Sequence, residues 1–348
     1  MQYNLDELKK IISDKNIKEL VIISHPHPDP DAVASVFGMQ KFINVVFPEI
    51  TTHCLYSGLI ARSQNKTLIN VLGLNMVSVE NFDHSEECKH FICVDTTPDR
   101  CDLSDQYECI LNIDHHKVDP PNCLNDIRVT GSCSAIIWSY LKEINYEFDK
   151  DNEDDVKLAT ALLVGIRTDT REVTVDVSEL DFDAYRALQI ITDIKYLSPI
   201  INYPIPRTLV RLKKRLDEDE NSKEKDGMFA GGIGYLKKNQ REAIPELAEE
   251  IVRLEGLDTV IVFAIVEDSI EFCIRSVKVS IDIKEICNNV FGTGFGGGRG
   301  TMAIGAVKIP MEIFSDIENC TEEVQNKIWV AIREYWIERI FSVLGGNV

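Results

Sequence analysis

The sequence lacks the features that define several large classes of protein. In its 348 residues, no apolar run approaches the roughly 20 residues that a membrane-spanning helix needs. The first ten residues are polar, without the apolar core of a secretion signal. Internal repeats and low-complexity tracts are also absent. We therefore expect a globular protein with no membrane partner, and its length suggests two domains.

Cysteine is too sparse to act as a structural framework. Ten cysteines in a chain of this length are too dilute for a disulfide scaffold. No Cys-x-x-Cys pair offers thiolate ligands to zinc. We interpret most of the cysteines as small buried apolar residues in a reducing compartment, which predicts a cytoplasmic location.

Basic residues are scarce relative to acidic ones. The chain has 37 lysines and arginines against 57 aspartates and glutamates, for a net charge of −20. Such a surface repels a long polyanion, so long duplex nucleic acid is not expected as a partner. A small anionic substrate is still compatible with this charge, because bound metal ions can reverse its sign locally.

Short apolar segments alternate with segments of helical spacing in the first half of the chain. This alternation predicts an α/β fold whose parallel sheet is covered by helices. Ligands of such sheets bind at the carboxyl ends of the strands. The predicted strands are 19–24, 90–94 and 109–113, and the predicted helices are 32–46, 134–144 and 156–165.

The second half of the chain predicts a smaller α/β domain. The expected division is a first domain over 1–190, a helical linker over 191–227 and a second domain over 228–348. The boundary is suggested by the charged, glycine-ended run 217–227. A basic run just before it is interpreted as a solvated helix face. The second domain should contain a strand at 228–236, a helix at 240–254, a hairpin at 259–276 and an amphipathic helix at 321–344.

Histidine and aspartate concentrate where the predicted strands end. His25, His27, Asp29 and Asp31 follow the first strand within seven residues. Solvated loop acids, or a helix cap at Asp31, would also explain this segment taken alone. Further acids and histidines follow the later apolar segments, however, and all seven histidines lie between positions 25 and 116. That recurrence favours a metal site.

Carboxylates with some imidazole and no thiolate favour Mn²⁺, Mg²⁺ or a similar divalent ion over structural zinc. Several carboxylates in one place repel one another, and a pair of cations is the simplest compensation. Two divalent ions suit displacement at phosphorus. The predicted substrate is therefore a phosphoester or a phosphoanhydride.

Four segments carry a resemblance to a known family: HPHPDPDAVAS from position 25, VDTT from 94, IDHH from 113 and GIRTDT from 165. They resemble the four ordered motifs of the DHH phosphoesterases. This superfamily includes the exonuclease RecJ, family II inorganic pyrophosphatases, exopolyphosphatases and nanoRNases. The second half resembles the DHH-associated domain of NrnA-type nanoRNases, or oligoribonucleases. The resemblance implies a parallel-sheet domain, a smaller α/β domain and an active site in the cleft between them.

The resemblance also implies two metal ions, with Mn²⁺ preferred over Mg²⁺ or Co²⁺. The ligands implied for one ion are His25, Asp29 and Asp95. The ligands implied for the other ion are Asp31, Asp95, His115 and Asp169. Asp95 would therefore bridge the two ions.

The same resemblance implies catalytic roles beside the metals. His116 is expected to contact the scissile phosphate, and Asp114 to orient a neighbouring imidazole. Together with Asp31, these two residues form the predicted catalytic set. His27 has no metal role in the family pattern and is expected near the rim of the loop.

Substrate binding is predicted for a group of arginines and glycines. Two departures from the family pattern affect it. Arg299 stands where histidine is usual, which favours phosphate binding over proton transfer, and Arg171 stands where glycine is usual. Arg100 and Arg171 are equally well explained as exposed loop arginines. The predicted substrate-binding residues are Arg100, Arg171, Arg275, Ser276, Gly296, Gly297, Gly298 and Arg299.

These observations predict a Mn²⁺-dependent phosphodiesterase for short oligonucleotides or linear dinucleotides, which releases nucleoside monophosphates. Phosphatase activity on 3′-phosphoadenosine 5′-phosphate is implied as well, and a homodimer is expected. The alternatives are an inorganic pyrophosphatase or exopolyphosphatase, a cyclic dinucleotide phosphodiesterase, or a nucleotide-binding sensor with a degraded site.

Overall fold

The computed structural model of the protein describes residues 2–83, 88–116, 123–278, 282–293, 296–299, 304–311 and 316–344. The chain divides into two compact units, Met1–Pro204 and Ile205–Val348. Each unit contains one sheet of strands with helices packed against it. This arrangement confirms the predicted α/β class. Within the described ranges, no helix combines the length and apolar character needed to cross a bilayer.

The first unit contains a sheet in which every pair of neighbouring strands is parallel. The strand order is β3-β2-β1-β4-β5-β6. Its strands are β1 (Glu19–Ile23), β2 (Thr51–Tyr56), β3 (Val77–Ser78), β4 (His90–Val94), β5 (Glu108–Asp114) and β6 (Leu124–Ile127). Its helices are α1 (Gln2–Asp14), α2 (Pro30–Val46), α3 (Ser63–Leu72), α4 (Cys133–Glu143), α5 (Glu153–Asp169), α6 (Glu179–Gln189) and α7 (Ile194–Ile201).

The order of these strands reverses between β1 and β4. The chain moves outward from β1 to β3 and then returns to place β4 on the other side of β1. In open parallel sheets, such a reversal leaves a crevice at the carboxyl ends of the two central strands, where ligands bind. The loops that follow β1 and β4 therefore occupy the most favourable position for a functional site.

The central strands were predictable, whereas the edge strands were not. β1 and β4 are short apolar runs that are buried over four of their five residues. β2, β3 and β6 lie toward the edges of the sheet and are partly exposed. Their sequences therefore lack the continuous apolar character that marks a buried parallel strand.

The second unit contains a mixed sheet in the order β11-β12-β10-β9-β8-β7. β8 and β9 are parallel, and the other neighbouring pairs are antiparallel. Its strands are β7 (Ser222–Lys225), β8 (Met228–Leu236), β9 (Thr259–Val266), β10 (Ser269–Ser276), β11 (Gly296–Arg299) and β12 (Ile304–Pro310). Its helices are α8 (Arg207–Leu216), α9 (Ala243–Ile251), α10 (Ile283–Phe291) and α11 (Glu322–Leu344).

The long terminal helix α11 packs an aromatic stripe into the core of the second unit. Trp329, Trp336 and Phe341 are all buried there, and the ring of Trp336 contacts Phe272 at a centroid distance of 5.0 Å. The predicted hairpin is also present, because β9 and β10 pair along their full length. The strand pair and this helix share one of the two buried apolar clusters of the unit, and a second cluster includes residues of α8 and α9.

The division between the units differs from the predicted linker over 191–227. Residues 205–227 belong to the second unit, where Leu216 of α8 is fully buried. The charged run contains β7, which pairs with β8 at the edge of the sheet. Charged side chains are favoured on edge strands because they discourage pairing with other chains. The composition of the run therefore marks a sheet edge inside a domain.

Candidate metal centre

The predicted ligands lie at the carboxyl edge of the first sheet. His25 and Asp29 are in the loop that follows β1, and Asp95 directly follows β4. Asp114 ends β5, and Asp169 ends α5. Because all strands of this sheet run in the same direction, these positions come together at one edge.

The start of α2 holds two carboxylates in different ways. Asp29 is the N-cap of α2, and its Oδ1 accepts a hydrogen bond from Ala32 N at 3.0 Å. Asp31 is fully buried and accepts hydrogen bonds from two amides at the start of α4, Cys133 N at 2.7 Å and Ser134 N at 2.8 Å. The suggested cap of α2 at Asp31 is therefore wrong. Asp31 is bound by the positive end of a neighbouring helix.

Asp95 lies between two groups of potential ligands. Its Oδ2 is 3.6 Å from His25 Nε2, which is 3.9 Å from Asp29 Oδ2. Its Oδ1 is 3.3 Å from His115 Nε2, which in turn is 3.2 Å from Asp169 Oδ2. The two oxygens of one buried carboxylate thus face different imidazoles, an arrangement that suits a ligand shared by two ions.

Two further observations test whether divalent ions fit here. One ligand atom each from His25, Asp29 and Asp95 falls within 4.8 Å of the others, and the same is true of Asp31, His115 and Asp169. Asp95 Oδ1 and His115 Nε2 are buried and have no hydrogen-bond partner among the described residues. Buried polar atoms are rarely left unpaired. Carboxylates and imidazoles are suitable donors for Mn²⁺ or Mg²⁺, so the residues fit the predicted ions.

The backbone at Asp95 is held in an unfavourable conformation. Its φ is +57°, in the left-handed region, and its amide donates to Ile113 O at 2.8 Å. Left-handed residues other than glycine are uncommon, and they cluster at functional sites where the surrounding structure compensates the cost. The bend at the end of β4 turns the Asp95 carboxylate toward both histidines.

Each histidine of the IDHH segment is oriented through its Nδ1 atom. His115 Nδ1 is 3.1 Å from Thr130 O, and His116 Nδ1 is 2.7 Å from Asp114 Oδ1. Asp114 is buried and also accepts from the amides of His115 at 2.7 Å and His116 at 3.1 Å. Asp114 thus contacts the ring of His116 and the amides of both histidines.

A hydrogen-bond network around Asp181, which supports the loop beside His115, was not predicted from the sequence. This buried carboxylate accepts from Thr130 Oγ1 at 2.7 Å, Gly131 N at 2.8 Å and Ser132 Oγ at 2.9 Å. It therefore holds the loop whose Thr130 carbonyl orients His115. The Ser-x-x-Asp capping box at Ser178 was the available signal, although it marks a helix start and gives no indication of a site.

The charges of the centre perturb one another strongly. Burial lowers the pKa of His25, but hydrogen bonding and attraction to nearby carboxylates outweigh it and raise the pKa to about 10. Burial and neighbouring carboxylates raise the pKa of Asp31 well above its usual range and that of Asp169 to about 6. Burial opposes ionisation of Asp95, yet its histidine partners keep its pKa below the usual range. Without metal ions, protons compensate this excess of acid.

His27 belongs to none of these groups of ligand atoms among the described residues. The ring of His27 packs against Gly58, and its Nδ1 accepts from Leu59 N at 2.9 Å, so it lies at the rim of the loop as expected. Arg100 is exposed in a short 3₁₀ turn. Arg171 is half-buried just after Asp169, and its φ is +47°.

The predicted substrate-binding residues of the second unit lie on β10 and β11, the two strands on either side of β12. Arg275 of β10 is half-buried and pairs with Ile304 of β12, which also pairs with Arg299 of β11. Gly296–Gly298 complete β11, whereas positions 294–295 and 300–303 of the glycine-rich segment lie outside the described residues. Ser276 is buried, and its hydroxyl donates to Asp258 O at 3.0 Å.

Comparisons with known proteins agree with this geometry. Residues 19–166 match the family described as DHH family, N-terminal domain. The uncharacterized protein MJ1633 of Methanocaldococcus jannaschii is 31% identical over 328 residues. That match covers 94% of this chain but 64% of the relative, so the chain spans less than two thirds of it.

Solved structures support the fold. An exopolyphosphatase-related protein from Bacteroides fragilis has a TM-score of 0.62 at 15% identity, with 98% of both chains covered. A pGpG-specific phosphodiesterase from Vibrio cholerae, PggH, has a TM-score of 0.30 at 12% identity, covering 90% of this chain and 98% of that one. The first likeness shows a shared fold, whereas the second is too weak to establish one.

Proposed function

Because residues 19–166 belong to the DHH family, we propose that the protein is a Mn²⁺-dependent phosphodiesterase with two metal ions. Its substrates are short oligonucleotides or linear dinucleotides, which it hydrolyses to nucleoside monophosphates. 3′-Phosphoadenosine 5′-phosphate is a second substrate in this proposal. The family match confirms the DHH resemblance. The assignment to the nanoRNase type within that family is our proposal.

The observation that carries the proposal is the position of Asp95. Its two oxygens face His25 and His115, each of which lies beside a further carboxylate. The first group would hold one ion and the second group the other, with Asp95 shared. When bound, two divalent ions supply an activated water and neutralise charge on the phosphate oxygens.

His116 contacts the scissile phosphate in this proposal. The buried Asp114 carboxylate lies 2.7 Å from His116 Nδ1 and fixes the orientation of the ring. The other ring nitrogen, Nε2, would then contact a phosphate oxygen. Asp114 itself is too buried to contact a substrate, so it acts by positioning and charge.

The arginines of the second unit favour a nucleotide substrate. Arg275 and Arg299 pair with opposite sides of Ile304, so their Cα atoms stand two strand spacings apart, about 10 Å. Two arginines would suit two separate anionic groups of one substrate. The glycines of β11 leave backbone amides open to a close approach.

The proposal is tested with purified protein, Mn²⁺ and labelled dinucleotides. We expect release of nucleoside monophosphates, and loss of that release in Asp31→Ala and His115→Ala. Equal turnover by the wild-type protein and both variants would reject the proposed centre. In parallel, inorganic pyrophosphate, polyphosphate, a cyclic dinucleotide and 3′-phosphoadenosine 5′-phosphate are offered at the same enzyme concentration.

The relative rates separate the alternatives. Faster phosphate release from pyrophosphate or polyphosphate would make the protein a phosphoanhydride hydrolase, which the metal ligands alone permit. Preferred cleavage of the cyclic dinucleotide would replace the linear substrate. Tight dinucleotide binding without cleavage, across Mn²⁺, Mg²⁺ and Co²⁺, would indicate a sensor.

A further inference from the structure

A second cluster of potential ligands lies at the opposite end of β1 from the metal centre. Glu19 begins β1, His53 is in β2, and Cys88 precedes β4. One ligand atom from each of the three residues lies within 4.8 Å of the other two. His53 Nε2 is 3.1 Å from Glu19 Oε2. The cluster therefore offers nitrogen, oxygen and sulfur donors at one point.

Strand pairing brings these residues together. His53 pairs with Val21 of β1, and Glu19 precedes Val21 by two residues, so Glu19 and His53 share one face of the sheet. Cys88 and Val21 belong to the same buried cluster, which places the thiol over that face. The three residues are more than 30 positions apart in sequence, so they form no recognisable motif.

We propose that Glu19, His53 and Cys88 form a second metal site, which binds one Zn²⁺ or another transition metal with affinity for sulfur. Thiolate, imidazole and carboxylate are the ligands that zinc takes in proteins, and three of them leave a fourth position open. In a tetrahedral zinc site, nitrogen and oxygen ligands lie about 3.3 Å apart. The 3.1 Å distance between His53 and Glu19 is close to that value.

The surroundings of the cluster suit a metal of this kind. A thiolate and a carboxylate together balance the charge of a divalent ion. The side chains of His53 and Glu19 are 28% and 25% exposed, so an ion from solvent can reach them. Cys88 is buried, and burial and then Glu19 raise its thiol pKa to about 11. Metal binding would therefore release a proton.

The donor types separate this site from the carboxylate–imidazole centre. None of the groups of ligand atoms around Asp95 includes a cysteine among the described residues. Sulfur ligands select zinc, cobalt and copper, whereas carboxylates also accept manganese and magnesium. A metal bound at Cys88 can therefore be distinguished by a sulfur-dependent signal.

The test uses the full chain, stripped of metal with a chelator and kept reduced with a phosphine. Titration with Co²⁺ is followed in the near ultraviolet, where thiolate-to-cobalt charge transfer absorbs. We expect a saturable band in the wild-type protein that Zn²⁺ displaces. A wild-type protein without this band would overturn the proposal and leave Glu19 and His53 as an ion pair.

Three variants assign the band to the cluster. Cys88→Ser should lose it, and His53→Gln should require more Co²⁺ to reach it. Cys54→Ser is the matched control, because Cys54 is also buried and adjoins His53 but lies outside the cluster, and it should keep the band. A band that persists in Cys88→Ser would also reject the proposal. Hydrolysis by Cys88→Ser in Mn²⁺ should equal that of the wild type, so the test is independent of the proposed function.

Discussion

The two sheets of this protein arrange polar groups in opposite ways. In the first unit all strand pairs are parallel, so acids and histidines that follow different strands meet at one edge. In the second unit most neighbouring strands are antiparallel, so their carboxyl ends alternate between edges. All seven histidines lie within the first unit. Parallel pairing is thus what allows residues far apart in sequence to build a single charged centre.

Removal of the Asp95 carboxylate, which both groups of ligands share, should have the largest effect on activity. Asp95→Asn should lower kcat about 10³-fold or more, because both groups of ligands lose a charged member at once. Turnover of a labelled dinucleotide measures the effect. Asp99→Asn, an exposed acid four residues further along the chain, is the matched control and should keep wild-type activity. A loss of less than about 10-fold for Asp95→Asn would contradict a bridging role.

The close packing behind the centre predicts a second large effect. A Cβ at Gly165 would collide with Ser134 Oγ and lie 2.9 Å from Asp31 Oδ1. Gly165→Ala should therefore cost about 1–3 kcal/mol of unfolding free energy and also lower kcat, because Asp31 must move. Denaturant unfolding and turnover measure the two effects.

Gly38→Ala is the control for that variant. Its Cβ would meet Ile137 at 2.5 Å, in apolar packing between α2 and α4. It should lower stability without lowering the kcat of the folded protein. Equal losses of activity in both variants would show that packing alone, without displacement of Asp31, causes the effect.

The stability of the protein without metal ions should fall as the pH rises, because protons compensate the excess of carboxylates in the centre. His25 has a folded pKa of about 10, above its ordinary 6.5, so its contribution to stability is present below pH 6.5 and is lost as the pH rises. The raised pKa of Asp169, about 6, acts in the same direction between about pH 4 and 6. The chelated protein should therefore unfold at a lower temperature at about pH 8 than at about pH 6.

A variant and a metal titration test the cause of this pH dependence. His25→Gln should flatten the dependence on pH. Mn²⁺ should raise the unfolding temperature more at the higher pH, because its ligands must be deprotonated. A chelated protein that gains stability between about pH 6 and 8 would argue against the charge arrangement described for the centre.

A smaller effect is expected from the second sheet. Arg275→Ala and Arg299→Ala should each raise KM for a dinucleotide about 10- to 100-fold, with a lesser change in kcat, as for loss of a charge-assisted hydrogen bond. Lysine at either position should restore only part of the affinity, because it cannot bind bidentately. An unchanged KM in both variants would remove these arginines from substrate binding.

The smallest effect is expected at Arg100. Its side chain is exposed and forms no ion pair with the residues that the structure describes. Arg100→Ala should therefore change kcat/KM by less than about 3-fold. A larger loss would assign it to substrate binding and extend the charged centre beyond the present ligands.

The strands that position the candidate centre were easier to predict from the sequence than the rest of the fold. The apolar runs of β1 and β4 and the acids that follow them are local patterns, so both were found. The outer strands β2, β3 and β6 and the division at Pro204 were not predicted, because partly exposed strands and domain contacts depend on pairing with distant segments. The charged run before β8 was interpreted as a domain boundary for the same reason. Its role as an edge strand becomes visible only when β7 is paired with β8.

The sequence by itself determined which donors exist, which strands precede them and to which family their motifs belong. Only the tertiary structure decided that the two oxygens of Asp95 face different histidines and that Asp31 is bound by the amides of α4. It also decided that Glu19, His53 and Cys88 meet. The physical reason is that strand order and register set distances between residues far apart in the chain, whereas local spacing sets only the nature of each segment.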